Sequence, residues 1–221
     1  MNCEIINNFE EILTIDKSNY INQSYPINLN THIRPNLVID LNGILIFLSH
    51  LIDIKDLIKY TSFNNFLLVY KDFDYNMFVV YYRNFIKEFL LEINNYYDIY
   101  IYSSLNKTQT DLFIVMLINL LGVNVFKGVY IKYHNEQKSL ENLNLNPLHT
   151  IIVDFTNNNW KTNNNNNLII IPIFKGPNNK DYDKDNNLLN LKKCLCRIYK
   201  LFIDNSYGDI RNYIHDCNIN I

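Results

Sequence analysis

Glycine and proline are scarce in this chain, five of each among 221 residues, so the usual punctuation of turns falls to other residues. Asparagine, the commonest residue, takes it over in tracts such as "NNNWKTNNNNN" at 157–167, read as polar filling that marks where loops lie. A basic excess is also missing. The formal charge is −2 and the pI about 6.2, and no basic stripe recurs along a face, which argues against nucleic acid as a partner. No apolar run approaches the roughly 18–20 residues of a membrane span, so no span is expected. The cysteines Cys3, Cys194, Cys196 and Cys217 give one C-x-C pair, without a second pair at metal-ligand spacing or a secretory signal before them. They read as reduced thiols of an intracellular protein. His32, His50, His134, His149 and His215 show no ligand pairing and are assigned to surface or core positions.

What is present is apolar material, 48% of the chain, enough to fill the core of one α/β domain. Residues 1–33 read as a polar N-terminal arm and 34–217 as the domain. "NLVIDLNGILIF" at 36–47 opens with a buried strand, placed at about 36–42, that runs into Asp40 and Gly43, and the chain then continues extended into a short helix. "NNFLLVYK" and "YNMFVVYYR", split by "DFDY", read as a β-hairpin. "RNFIKEFLLEINNYY" sets Phe85, Ile86, Phe89, Leu90 and Ile93 at the spacing of an amphipathic helix. "DIYIYSS" is a strand ending in Ser103, and "TQTDLFIVMLINLLG" a helix capped by Thr108 and stopped by Gly122. "VFKGVYIKYH" reads as extended and "KSLENLN" as a helical turn. "HTIIVDFT", ending at Asp154, and "NLIIIPIF" are further strands, "NNLLNLKKCLCRIYKLF" is a helix, and "GDIRNYI" closes the chain.

Strands alternating with helices predict an α/β fold, a mainly parallel sheet flanked by helices with the hairpin inserted after strand one. In such a sheet the carboxyl ends of the strands share one crevice, so Asp40, Ser103 and Asp154 are expected to converge.

Several of these segments resemble a known family in order and spacing. "LVIDLNGIL" looks like an Asp-x-Asp-x-Thr motif ending strand one. "FLLVYKDFDYNMFVVYYRNFIKEFL" looks like an inserted hairpin leading into a "KRPG…EFL" helix, with Asn84 where the proline usually stands. "YDIYIYSSLNKTQTD" looks like a second motif ending a strand in Ser or Thr, and "NEQKSLENLN" like a segment carrying a third-motif lysine, here Lys138. "TIIVDFTNNNW" and "IIIPIF…DNNLLNLKKCL…YGDIRNYI" complete the pattern. Together, over residues 33–216, they resemble the haloacid dehalogenase superfamily, and within it the phosphatases of the carboxyl-terminal repeat of RNA polymerase II.

The resemblance implies a Rossmann-like haloacid dehalogenase fold and a phosphoprotein or extended peptide as partner. It also implies a carboxylate nucleophile that forms an aspartyl phosphate, splitting one hard transfer into two easier ones. Asp40 matches the nucleophile. Ser103 and Lys138 match the hydroxyl and ammonium that hold phosphoryl oxygens, since phosphoryl transfer is mostly positioning and charge stabilisation. Mg²⁺ is the implied cofactor, its ligand positions falling on Asp40, Asn42 and Asp154. Three departures set the expectation that activity and metal binding are weakened or lost. Asn42 stands for the second acid, which protonates the leaving alkoxide and activates water; losing such help costs about 10²- to 10⁴-fold. Ile44 replaces the motif threonine. Phe155 replaces an Asn or Asp that ligates Mg²⁺, and a benzyl group offers no oxygen. Aspartyl-phosphate-forming cation pumps also carry a non-acidic residue followed by Gly, as in "DLNGIL", so Asn42 argues against fast hydrolysis more than against phosphoryl chemistry. The alternative reading is a peptide-binding module that is similar to the presequence receptor of the mitochondrial inner-membrane translocase. A nuclear or cytoplasmic location goes with the first reading, a mitochondrial one with the second.

Overall fold

The computed structural model describes residues 33–51, 67–71, 77–132, 136–176 and 184–215. The expected N-terminal arm and the short helix expected after "GILIFLSH" lie outside the described residues. The chain divides into two compact units, one of Arg34–Phe47 with Arg83–Ile221 and a second that includes Leu48–Tyr82.

The larger unit is built on a five-stranded sheet of β1 (Asn36–Ile39), β5 (Asp98–Ser103), β6 (Phe126–Ile131), β7 (Thr150–Asp154) and β8 (Leu168–Ile170). The strand order is β6-β5-β1-β7-β8, and every neighbouring pair is parallel. The sheet therefore grows from β1 in one direction through β5 and β6, then in the other through β7 and β8. The point where it reverses lies between β1 and β7, and that is where open α/β sheets place their crevice. The apolar residues of the central strands are buried, Leu37, Val38, Ile39, Ile151, Ile152 and Val153 all at 0% exposure, as sheets covered on both faces require. Helices α1 (Ile86–Ile93), α2 (Lys107–Leu121), α3 (Asn187–Asp204) and α4 (Arg211–Ile214) flank it, α1 packing on α3. The second sheet, in the order β2-β4-β3, comprises β2 (Ile46–Leu51), β3 (Leu67–Lys71) and β4 (Met77–Tyr82). The β3 and β4 strands pair antiparallel, which is the expected hairpin.

Four local expectations need correction. Strand one ends at Ile39, not near 42, because Asp40 N still donates to Val153 O at 3.0 Å while Leu45 N and Ile46 N turn back onto Leu41 O. That turn needs Gly43 at φ +91. Helix α2 is capped by Asn106, whose side chain accepts from Gln109 N, rather than by Thr108; both residue types cap well, and the backbone ladder begins at the earlier one. Phe85 does not join the buried face of α1, which consists of Ile86, Phe89, Leu90 and Ile93. It takes a left-handed conformation at the helix start and is 41% exposed.

The fourth concerns the asparagine tract, which is not merely filling. Residues Thr162–Asn167 wind into a 3-10 helix, with Asn164 and Asn167 buried. Asn164 accepts from Leu140 N at 3.3 Å, and Asn167 Nδ2 donates to Pro147 O and Thr150 O at 2.6 and 2.7 Å. Backbone carbonyls with no strand partner are thus satisfied by side-chain amides.

Arg83 is a further structural residue. It is 1% exposed, pairs with Asp185 at 2.8 Å, donates to Ile44 O and Pro172 O and lies over the Phe174 ring. Phe174 N in turn donates to Gly43 O at 2.7 Å. One guanidinium therefore braces the turn after Asp40, the segment after β8 and the start of α3.

Truncating Asn167 to alanine strips the buried Thr150 carbonyl and the part-buried Pro147 carbonyl of their donor and is expected to lower the unfolding free energy by about 1–3 kcal/mol in urea titration. Asn166→Ala, at the exposed neighbouring position, should change it by less than about 0.5 kcal/mol.

Candidate active site

Because β1 and β7 are adjacent and in register at Ile39 and Val153, the residues that follow these positions, Asp40 and Asp154, meet at the same edge of the sheet. Both are buried, at 2% and 0% exposure. Two carboxylates brought together out of water repel each other and lose hydration, so they need a cation or a proton. Lys138 supplies the cation. Its ammonium lies 2.7 Å from Asp40 Oδ1 and 3.2 Å from Asp154 Oδ2 and has no exposed surface.

The lysine is held by main chain as well as by charge. Lys138 N donates to Asn159 O at 2.7 Å and Lys161 N to Lys138 O at 3.0 Å, an isolated bridge between Lys138 and Trp160. The Tyr102 and Trp160 rings flank the ammonium, each centroid 5.6 Å from Nζ, and meet edge to face at 5.4 Å. Beneath them Val38, Ile152, Leu140 and Leu143 complete an apolar floor. Trp160 Nε1 also donates to Asp154 Oδ2 at 2.8 Å, while Phe155 N and Thr156 N donate to Asp154 Oδ1.

One ammonium for two carboxylates leaves an excess negative charge. Burial pushes the Asp40 carboxyl up to about 6; Lys138 works against that rise and Asp154 adds to it. Near neutral pH a proton at Asp40 therefore competes with ionisation.

Ser103 ends β5, the strand on the other side of β1, and is fully buried. Among the described residues no hydrogen bond joins it to the other three. Its oxygen accepts from Thr110 Oγ1 at 2.9 Å and Leu105 N at 3.1 Å. Thr110, buried in the first turn of α2, was not singled out in the sequence, and only its place seven residues after the strand-end serine hints at it. Asn42 lies in the turn after Asp40, half-buried and bridged to Ile46.

Phe155 sits against that same turn. A Cβ on Gly43 would meet the Phe155 ring at 3.0 and 3.1 Å and Ile173 at 3.2 Å. Carbon, not oxygen, packs the turn between the ends of β1 and β7. Mg²⁺ takes six oxygen ligands in octahedral geometry, several of them waters, with one or two carboxylates from the protein. Here both carboxylates are paired with Lys138, position 155 has no donor, and position 42 offers an amide. Among the described residues no group of three His, Cys, Asp or Glu could hold a metal ion. The side chain at position 155 therefore offers a divalent cation no oxygen.

Among the described residues no helix is long and apolar enough to cross a membrane. Comparison with known proteins agrees with the architecture. The structure is similar to that of an arginine-to-alanine variant of fission yeast RNA polymerase II CTD phosphatase Fcp1 bound to beryllium fluoride, with TM-score 0.64 and 15% identity over 83% of this chain and 70% of that one. A second structure, of Fcp1, an essential RNA polymerase II CTD phosphatase, matches with TM-score 0.62 and 16% identity over the same shares. At these identities the likeness speaks for the fold alone, a mainly parallel sheet flanked by helices. No curated protein matches the sequence significantly. The family model for NLI interacting factor-like phosphatases matches residues 35–206, which include both strand-end aspartates, the lysine between them and the strand-end serine, and the chain therefore belongs to that family.

Proposed function

We propose that this chain is a phosphatase-type fold directed at a phosphoprotein or phosphopeptide, in which hydrolysis is weakened or lost. The observation that carries the reading is the Phe155 ring packed on Gly43 beside the ion-paired aspartates. Asp40 is the phosphoryl acceptor: its oxygen bonds to phosphorus as the bond to the leaving alkoxide breaks. Lys138 uses two of its three N–H groups on the carboxylates and keeps one for a phosphoryl oxygen, and Ser103 donates its hydroxyl hydrogen. The leaving alkoxide finds no acid at position 42 and takes its proton from solvent; the water that then attacks phosphorus finds no base there and gives its proton to solvent as the bond to Asp40 breaks and the carboxylate is regenerated, so both steps are slow. The insertion between β1 and α1 includes a small three-stranded sheet, which supports a macromolecular substrate over a small molecule.

The same packing supports a second reading, a non-catalytic peptide-binding module. Unimpaired peptide binding by Asp40→Ala, with no hydrolysis by the parent, would favour it.

Purified protein should hydrolyse an aryl phosphate barely above background with Mg²⁺ present. Robust turnover that Asp40→Asn abolishes would overturn the claim of weakened activity.

A second expectation concerns pH. The Asp40 carboxyl is raised from 3.8 to about 6, so the folded chain holds this proton more tightly than the unfolded one. The resulting stability is complete below the unfolded value and is lost as pH rises through about 6. Asp40→Asn cannot ionise and should therefore unfold at higher temperature than the parent at about pH 8. The difference, on the order of 3 kcal/mol, should shrink as pH falls from about 6 to 4 in calorimetric scans.

A further inference from the structure

Asp154 offers about four lone-pair positions, two on each oxygen, and the protein fills all four. Oδ1 accepts from Phe155 N at 2.7 Å and Thr156 N at 3.3 Å; Oδ2 accepts from Trp160 Nε1 at 2.8 Å and Lys138 Nζ at 3.2 Å. Three of these donors come from the loop that follows β7, and only the indole comes from a side chain of that loop. Trp160 is 1% exposed and is the chain's only tryptophan. It meets Lys138 three ways: through the backbone bridge, through its ring 5.6 Å from the ammonium, and through the Asp154 oxygen they share.

From this we infer that Trp160 is a positioning residue for Lys138, acting through Asp154. The indole N–H fixes the rotation of the Asp154 carboxylate so that Oδ2 presents its second lone pair to the ammonium. The ring face beside Nζ keeps the ammonium directed between the two aspartates. Core packing alone would ask only for an apolar ring and would leave the N–H without this use. A carboxylate with every lone pair engaged also has none to offer a metal, so Asp154 serves the lysine. The inference concerns how the ammonium is held, and it stands or falls separately from turnover.

The test follows the Lys138 ammonium signal by nitrogen-detected NMR in the full chain labelled on lysine. Trp160→Phe keeps a ring but removes the donor, and Phe89→Leu, a core change in α1, is the control. Replacing the single tryptophan by benzothienylalanine, which keeps the bicyclic shape without the N–H, covers the case in which Trp160→Phe does not fold. Both donor-less forms should exchange the ammonium protons with water on the order of tenfold faster, as expected for one lost bond to a charged group. Phe89→Leu should leave that exchange as in the parent. Unchanged exchange in the donor-less forms, or an equal acceleration in Phe89→Leu, would overturn the inference. Binding of inorganic phosphate to the parent, measured in the same samples, tests the phosphoryl-binding reading: its absence beside faster exchange would remove that reading and leave the positioning role in place.

Discussion

The ammonium of Lys138, set between two buried carboxylates, is the interaction on which the rest of the site depends. The parallel register of β1 and β7 brings Asp40 and Asp154 to one place whether or not anything neutralises them. Without the lysine two carboxylates would face each other without water, an arrangement that costs several kcal/mol per charge. The lysine is correspondingly fixed by backbone bonds, by two aromatic faces and by both acids. The apolar floor of Val38, Tyr102, Ile152 and Trp160 is the low-dielectric setting that makes these charge contacts strong.

Electrostatic economy of this kind is what the proposed reading, a site with weakened or lost metal binding, asks for. The three departures from the pattern that the resemblance implies point the same way, and each is physically consistent with the others. Phe155 packs against Gly43, which has no side chain to obstruct the ring, and Ile44 is buried with its carbonyl braced by Arg83. Asn42 removes a third negative charge from a place where two already share one cation. Adding that charge back without a metal would raise the cost of ionising Asp40, whose carboxyl is already pushed up to about 6.

Much of this was legible in the sequence, for identifiable reasons. The strands of the parallel sheet announce themselves as continuous apolar runs because both their faces are covered. Asp40, Ser103 and Asp154 stand out because each ends such a run. Lys138 depended on the family resemblance, since nothing in its own neighbourhood distinguishes it from a surface lysine. What the sequence hid is tertiary. The donor role of Trp160 toward Asp154 and of Thr110 toward Ser103 arises only when a loop and a helix fold back over the strand ends. The choice of Asn106 over Thr108 as helix cap, and the exposure of Phe85, turn on where a backbone ladder starts, which composition does not specify. The buried Asn164 and Asn167 look identical in sequence to the exposed asparagines beside them, and only the carbonyls they meet tell them apart.

The central claim is that an ammonium, not a metal ion, neutralises the paired aspartates. Calorimetric titration of the full chain with Mg²⁺ tests it most directly. The account predicts no saturable heat; saturable binding to the parent that disappears in Asp40→Asn would contradict it.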